Sequence, residues 1–211
     1  MKSFQFWTQL DVEQNFGSSQ TYVCPELDDL LAAKVDLTTE EKQQLDELSR
    51  QLDIMSFGWS EEDLKIQFIG PVLNFAKMAH RTYRIFFDYS IKADVNNETI
   101  GGKVDAVLAK GYFVPEAPFF FLQEFKREKG KDNDPAGQLL AAMVVSQQLN
   151  GNFDVMYGCF INGRIWYFLA LKGNQYSISR AFDSTSEDLY QVVAMLRKIK
   201  VLFEQKIQYV P

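Results

Sequence analysis

The segment Phe119-Phe120-Phe121-Leu122-Gln123-Glu124-Phe125-Lys126 decides the fold. Its apolar, aromatic-rich start predicts a buried β-strand. Side chains alternate between the two faces of a strand, so Glu124 and Lys126 share one face and Phe125 lies on the other. An acid and an amine held together at the end of a buried strand cost desolvation energy, which makes this pair a candidate functional site.

A second apolar run carries Gly102-Lys103-Val104-Asp105 and also predicts a strand. If Asp105 comes from a strand beside Glu124, two carboxylates and the Lys126 amine meet at one place. Carboxylate oxygens are the ligands that hard divalent cations such as Mg²⁺ prefer. This set can therefore hold a divalent metal with a water molecule beside it.

Glu-x-Lys is a common tripeptide, and Glu124 and Lys126 could form no more than a strand-end ion pair, which contributes about 0–1 kcal/mol when exposed. The pattern recurs at Glu40-Glu41-Lys42 and Glu204-Gln205-Lys206, with Asp63-Leu64-Lys65 as a near match. Those segments lie in helical patterns, where residues i and i+2 do not share a face. The strand context distinguishes Glu124-Phe125-Lys126 from them.

The flanking segments predict helices on both faces of a mixed sheet. Ser60 can cap a helix that carries Glu61 and Glu62 and runs, bent or restarted at Pro71, to about His80. We expect strands over 83–95 and 103–109, joined by a turn-rich loop over 96–102, and a third strand over 119–127. A helix is predicted over 138–149 and a closing amphipathic helix over 187–206.

The order of these elements resembles the PD-(D/E)xK nuclease superfamily, which has the restriction-endonuclease-like fold. That family shows a helix with Glu, a strand with Asp, a strand with Glu-x-Lys and then a helix with Gln. The resemblance covers roughly residues 55–205, and it departs from the family pattern at Val104, where proline often precedes the aspartate. It implies a three-layer α/β/α domain with a central mixed sheet, plus N-terminal helices.

The resemblance also implies roles for individual residues. Asp105 and Glu124 would bind Mg²⁺ or Mn²⁺ together with the backbone carbonyl of Phe125, and Lys126 would hold the attacking water or stabilise the transition state. The helix acid is Glu61 or Glu62; we prefer Glu61, as a catalytic residue and a metal ligand, because its spacing to the following apolar run is closer to the family pattern. Gln138 would touch the site, while Gln147 and Gln148 are expected to face solvent.

Composition limits the nucleic-acid contacts. The formal net charge is −6 and the isoelectric point about 4.9, which is unusual for a protein that coats DNA without specificity. Positive charge is nevertheless concentrated directly after the Glu-x-Lys strand, at Arg127, Lys129 and Lys131. This run is either a phosphate-binding segment or a solvated loop.

Length and composition predict one main domain, at residues 55–211, with a helical appendage over 1–54 packed on it. Cys24 and Cys159 lack the spacing of a zinc site. The first residues lack a signal-peptide pattern, and no apolar stretch is long enough to span a membrane, so we expect a cytoplasmic protein that does not bind membranes. A single histidine excludes a two-histidine metal motif, which leaves carboxylate chemistry.

The sequence therefore predicts a divalent-metal-dependent endonuclease, a hydrolase that binds DNA and cleaves its phosphodiester bonds. The alternative is a catalytically silent, nuclease-like binding or assembly module. The acidic composition favours that alternative, or a nuclease that depends on a protein partner or a homodimer for its DNA affinity.

Overall fold

The protein is described by a computed structural model, in which residues 2–126 and 134–208 are placed well enough to describe. Within these ranges the strands form one mixed sheet. The strands are β1 (Ser19–Gln20), β2 (Ala79–His80), β3 (Tyr83–Val95), β4 (Glu98–Lys110), β5 (Glu116–Lys126), β6 (Met156–Asn162), β7 (Ile165–Lys172), β8 (Gln175–Ile178) and β9 (Phe182–Asp183).

Seven α-helices accompany this sheet in the described part of the chain. They are α1 (Gln9–Phe16), α2 (Pro25–Leu31), α3 (Thr39–Met55), α4 (Glu61–Leu64), α5 (Gly70–Ala76), α6 (Pro135–Asn150) and α7 (Asp188–Gln208). Capping boxes begin α3 at Thr38 and α4 at Ser60, because each hydroxyl accepts the third residue's N–H and that residue's carboxylate accepts the cap N–H.

The strands follow the spatial order β1-β8-β7-β6-β5-β4-β3-β2, and β9 pairs with β7. Strand β4 is antiparallel to both β3 and β5, whereas β5 and β6 run parallel. A parallel pair needs a crossover, and α6 provides it. The sheet is therefore mixed, with a parallel step directly after the Glu-x-Lys strand.

Two hydrophobic cores lie on the two faces of the sheet. One contains α7 residues such as Leu196 and Phe203, together with residues of α2, α3 and α5. The other contains α6 residues such as Leu140 and Met143, together with Val12 of α1. Helices thus cover both faces, and the predicted α/β/α architecture with a central mixed sheet, consistent with a restriction-endonuclease-like layout, is confirmed.

The hairpin of β3 and β4 differs from the prediction, which placed a loop over 96–102. The turn consists of Asn96 and Asn97 alone, both left-handed at φ 51° and 65°, as a two-residue hairpin turn requires. Gly102 belongs to the strand because the chain passes close to Phe4: a Cβ there would lie 2.9 Å from that ring. The glycines that suggested a loop serve close packing instead.

The helix predicted from Ser60 to about His80 is helical as far as Ala76 and ends a turn earlier than expected. After α4 the chain widens into a π-helical turn over Lys65–Ile69, in which the Gly70 N–H bonds to the Lys65 carbonyl. Helix α5 follows and ends at Lys77, which has a left-handed φ of 54°. His80 then lies in β2, at the edge of the sheet.

The first 54 residues contribute to the sheet and to both cores. Strand β1 pairs in parallel with β8, α1 packs on α6, and α2 and α3 pack on α7. The predicted division near residue 54 stays a prediction. In the described ranges, no helix combines the length and the apolar character needed to cross a bilayer.

Candidate active site

The candidate site lies where β4 separates from β5. The two strands pair through Ala106↔Gln123, and residues of β4 before Ala106 pair with β3. At this fork the backbone N–H of Phe125 donates to Asp105 Oδ2 at 2.7 Å. The Asp105 carboxylate thus takes the place that a backbone carbonyl would have in a continuous strand pair. This bond fixes it beside the Glu-x-Lys segment.

Glu124 and Lys126 share a strand face, as predicted, and form an ion pair. Lys126 Nζ lies 2.7 Å from Glu124 Oε1. Glu124 is only 8% exposed, and Phe125 on the opposite face is fully buried in a hydrophobic core. The pair is therefore a buried one, unlike the exposed strand-end pair considered as the alternative from sequence.

The helix acid that reaches this pair is Glu61. Its Oε1 lies 3.9 Å from Lys126 Nζ, whereas Glu62 pairs with Lys65 at 3.4 Å. Glu61 is thus joined to the site through Lys126.

Two further charged residues border the site and were not singled out from sequence. Lys65 Nζ lies 3.2 Å from Asp88 Oδ1, and the Lys65 side chain is 12% exposed. Asp88 lies opposite Asp105, between the pairs Phe87↔Ala106 and Tyr89↔Val104, and has a left-handed φ of 52°. Such a conformation is costly for a non-glycine residue inside a strand and often marks a functional site. No sequence signal announces this backbone conformation.

Burial and like charge raise the pKa values of the two acids at the fork. Burial is the larger cause for Glu124, the Asp105 charge adds to it, and together they raise the pKa of Glu124 to about 7. Burial also raises the pKa of Asp105, against the opposing effects of the Phe125 N–H and of Lys126 and Lys65. Ionisation of Asp105 and Glu124 at the same time is thus electrostatically unfavourable.

Lys126 keeps its proton in this environment. Burial alone would lower the pKa of its amine, but the carboxylates of Glu124, Glu61 and Asp105 outweigh it and raise the pKa above its usual value. At neutral pH Lys126 is a cation and a hydrogen-bond donor. In this arrangement it cannot act as a general base.

Three glutamines of β5 and α6 are buried: Gln123, Gln138 and Gln147. Gln138 is 3% exposed, in the first turn of α6, and its Nε2 has no hydrogen-bond partner among the described residues. Gln138 Nε2 therefore makes no hydrogen bond to Asp105 or to Glu124. Gln123, next to Glu124, is 1% exposed, and both of its amide atoms lack a partner in the described part of the chain.

Gln147 and Gln148 were both expected to face solvent. Gln147 is instead 2% exposed, because α6 is covered on nearly every side, whereas Gln148 is exposed as expected.

The basic run at Arg127, Lys129 and Lys131 falls outside the described residues. Asp134 caps α6 by accepting the Gly137 N–H, and its other oxygen accepts the Gln9 N–H at 2.6 Å. The start of α6 is therefore anchored to α1. The three basic residues connect this anchored start to the end of β5.

Across residues 2–126 and 134–208, no group of three or more His, Cys, Asp or Glu side chains is clustered closely enough to hold a metal ion. The side-chain donors at the fork are the carboxylates of Asp105 and Glu124, and the predicted third donor is the backbone carbonyl of Phe125. Mg²⁺ characteristically binds through one or two carboxylates, with waters and substrate oxygens completing its shell. The donor chemistry of Asp105, Glu124 and Phe125 fits such an ion.

No protein-family model matches the chain, and no curated protein matches it. Solved structures that it resembles include a chain described as "cryoEM structure DrdV-DNA complex". The two are 15% identical with a TM-score of 0.43, over 80% of this chain and 14% of that chain. This chain therefore spans about one seventh of the length of that protein.

Proposed function

We propose that the chain is a divalent-metal-dependent nuclease that hydrolyses phosphodiester bonds, with DNA as its substrate. The observation that carries this proposal is the fork itself. Glu124 is 8% exposed beside a second carboxylate, and Lys126 Nζ lies 2.7 Å from it. Structural ion pairs seldom place a buried acid and a half-buried acid around one amine, because the excess negative charge is costly to desolvate.

A divalent cation would relieve this charge. Asp105, Glu124 and the Phe125 carbonyl would hold Mg²⁺ or Mn²⁺, with Glu61 as a further acid reaching the ion through water. When bound, the ion lowers the pKa of a coordinated water and neutralises charge on the phosphate. The Phe125 N–H keeps Asp105 Oδ2 oriented, which leaves Oδ1 as the atom available for the ion.

Lys126 would act as a protonated donor to the charge that develops on the phosphate. Fixed donors aimed at developing charge stabilise a transition state more than a ground state. Glu61 at 3.9 Å would orient the Lys126 amine. Gln138, with its buried unpartnered amide nitrogen, would donate to a substrate or water oxygen at the start of α6.

The DNA strand would reach the fork along the basic run at Arg127, Lys129 and Lys131. Phosphate contacts provide most of the affinity for DNA, yet the whole chain carries a net charge of −6. A protein partner or a homodimer would therefore supply part of the DNA affinity. We place this activity in the cytoplasm, where Cys24 and Cys159, both buried and unpaired thiols, would remain reduced.

A catalytically silent, nuclease-like binding module is the second candidate. It is favoured by the lack of any cluster of three metal-binding side chains in the described ranges. Such a module has no need of a buried acid pair, which destabilises the fold. The nuclease accounts for that pair and the silent module does not.

Cleavage assays test the proposal. Plasmid and single-stranded DNA and RNA are incubated with the protein in Mg²⁺ or Mn²⁺, with a chelator in a parallel reaction. We expect cleavage of DNA that the chelator abolishes. Binding of DNA without cleavage of any substrate in either metal would establish the silent module instead.

A further inference from the structure

A second cavity lies away from the fork, with no residue in common with the candidate active site. It has a volume of about 570 Å³ and is enclosed by α1, α6, the β3–β4 turn and the β7–β8 turn. Ligand pockets for small molecules typically have volumes of about 300–1,000 Å³. The cavity is therefore of a size to hold a compound as large as a nucleoside.

The floor of the cavity contains a buried donor without an acceptor. Gln147 lines the cavity and is 2% exposed, and its Nε2 has no hydrogen-bond partner among the described residues. A buried amide left unpaired loses the hydrogen bond it had to water, so such a group is expected to have a partner in the functional state. A ligand with a hydrogen-bond acceptor would provide it.

The rim of the cavity is held in place by hydrogen bonds to the end of α1. Asn96 Nδ2 donates to the Asn15 carbonyl at 3.0 Å, and Asn174 Nδ2 donates to the Gly17 carbonyl at 3.1 Å. Each bond uses one of the two N–H groups of its amide, so each asparagine keeps a carbonyl oxygen that can accept. Asp94, beside Asn96, adds a carboxylate at the same rim.

The walls are apolar and partly aromatic. Phe16 and Phe153 both line the cavity, Phe16 stacks on Trp7 with ring centroids 4.8 Å apart, and Phe153 is 67% exposed. Aromatic walls favour a flat ring, because every nucleobase has a π-face that can stack on an aromatic side chain. An exposed phenylalanine at the mouth of a cavity can cover such a ring.

The charge of the lining excludes an anion. No Lys, Arg or His lines this cavity in the part of the chain that the structure describes, and its one charged residue there is Asp94. A phosphate or carboxylate group would meet a like charge without any cation to compensate it. The ligand is thus neutral, flat, an acceptor toward Gln147 and a donor toward the rim.

We propose that this cavity binds an amino-substituted nucleobase, as a free nucleoside or as a base of single-stranded nucleic acid. The ring lies against Phe16 and Phe153, a ring nitrogen or carbonyl accepts from Gln147, and the exocyclic amino group donates to the Asp94 rim. Adenine and cytosine have this pattern of donors and acceptors. The inference does not depend on nuclease activity.

Binding of nucleosides to the full chain, measured by calorimetry and by saturation-transfer NMR without metal, tests the proposal. We expect saturable binding of adenosine or cytidine at millimolar concentration or below. Inosine and uridine replace the amino group by a carbonyl and should bind at least about tenfold more weakly, and AMP more weakly than adenosine. No saturable binding, or equal binding of adenosine and inosine, would overturn the proposal.

A matched pair of variants locates the binding. Gln147→Leu should abolish binding and at the same time raise the melting temperature, since it removes an unpaired buried donor. Gln43→Leu changes an exposed glutamine of α3, outside the cavity, and should bind as the wild type does. Binding that survives Gln147→Leu, or is lost in Gln43→Leu, would place the ligand elsewhere.

The source of the base is distinguished with short oligonucleotides. If oligo(dA) competes with adenosine for the wild type, and this competition disappears in Gln147→Leu, the cavity binds a base of single-stranded DNA. Adenosine binding without competition would assign it to a free nucleoside. Oligonucleotide binding that is unaffected by Gln147→Leu, with no nucleoside binding, would contradict both.

Discussion

Two Glu-x-Lys segments of this chain have opposite environments. On strand β5, Glu124 and Lys126 share a face and pair at 2.7 Å, and the pKa of Glu124 is raised to about 7 by burial and by Asp105. On helix α7, Glu204 pairs with Lys200 and Lys206 pairs with Asp154. Burial alone would raise the pKa of Glu204, but the Tyr83 hydroxyl and Lys200 lower it.

The difference follows from backbone geometry. Residues i and i+2 share a face in a strand and diverge in a helix, so only the strand makes the tripeptide into one site. The helical acid finds a balancing cation one turn away. The strand acid shares its cation with a second acid, and that imbalance is what a bound metal ion would correct.

The largest expected effect is a difference in DNA cleavage between variants of Lys126 and Lys206. Lys126→Ala should reduce metal-dependent cleavage by about 100-fold or more, because it removes a donor to the developing charge. Lys206→Ala removes the helical counterpart and should cleave as the wild type does. Rates are measured on plasmid DNA, with circular dichroism to establish that each variant is folded. Wild-type cleavage by the Lys126 variant would remove this lysine from the site.

The two glutamates should differ in how they link pH to stability. The folded pKa of Glu124 lies above its unfolded value of 4.5, so the folded state binds more protons between about pH 4.5 and 7. The free energy of unfolding should therefore fall as pH rises through this window, by on the order of 1–3 kcal/mol. Urea unfolding at a series of pH values measures it.

Matched substitutions test the assignment of this linkage. Glu124→Gln should remove most of the fall in stability between pH 4.5 and 7. Glu204→Gln should leave it in place, because a lowered pKa produces loss of stability only as pH falls through the acidic range. A fall of equal size in both variants would show that other groups dominate the titration.

The adjacent acids of α4 provide a smaller contrast. Glu61→Gln should reduce cleavage about tenfold, as expected for a residue that orients another catalytic group. Glu62→Gln affects a carboxylate that pairs with Lys65 instead and should change the rate less than about twofold. Kinetics of both variants in the same metal measure the contrast. The reverse order would make Glu62 the helix acid.

The basic run after β5 should act on affinity alone. Changing Arg127, Lys129 and Lys131 together to Ala should flatten the salt dependence of DNA binding by about one unit of slope for each phosphate that these side chains neutralise. If these side chains act on DNA and take no part in folding, the melting temperature should stay close to that of the wild type. A salt titration in Ca²⁺ measures the slope. An unchanged slope would make the run a solvated loop.

Local chemistry made much of the fold predictable. The Ser60 helix cap and the aromatic run of β5 each depend on neighbours in sequence, and the structure has the α4 start and the β5 strand that they indicate. The resemblance to the nuclease superfamily implied that Asp105 would lie near Glu124. In the structure β4 pairs with β5, and the Phe125 N–H donates to Asp105 Oδ2.

What sequence could not predict depends on contacts between distant residues. Gly102 lies in a strand and not in a loop, because Phe4 packs over it. Gln147 is buried because α6 is enclosed by the sheet and the N-terminal segments, which the polar side chain does not reveal. The left-handed Asp88, opposite Asp105, has no local signature because its conformation is imposed by the surrounding strands.

The binding of a divalent cation by the acids of the fork is the claim on which this account depends, and melting in Mg²⁺ or Mn²⁺ tests it most directly. At ten times its dissociation constant the ion should raise the wild-type melting temperature by about 3–6 °C. Asp105→Asn and Glu124→Gln should lose most of this rise, whereas Glu116→Gln, an exposed acid on the same strand, should retain it. An equal rise in all four proteins, or none in the wild type, would contradict a metal site at the fork.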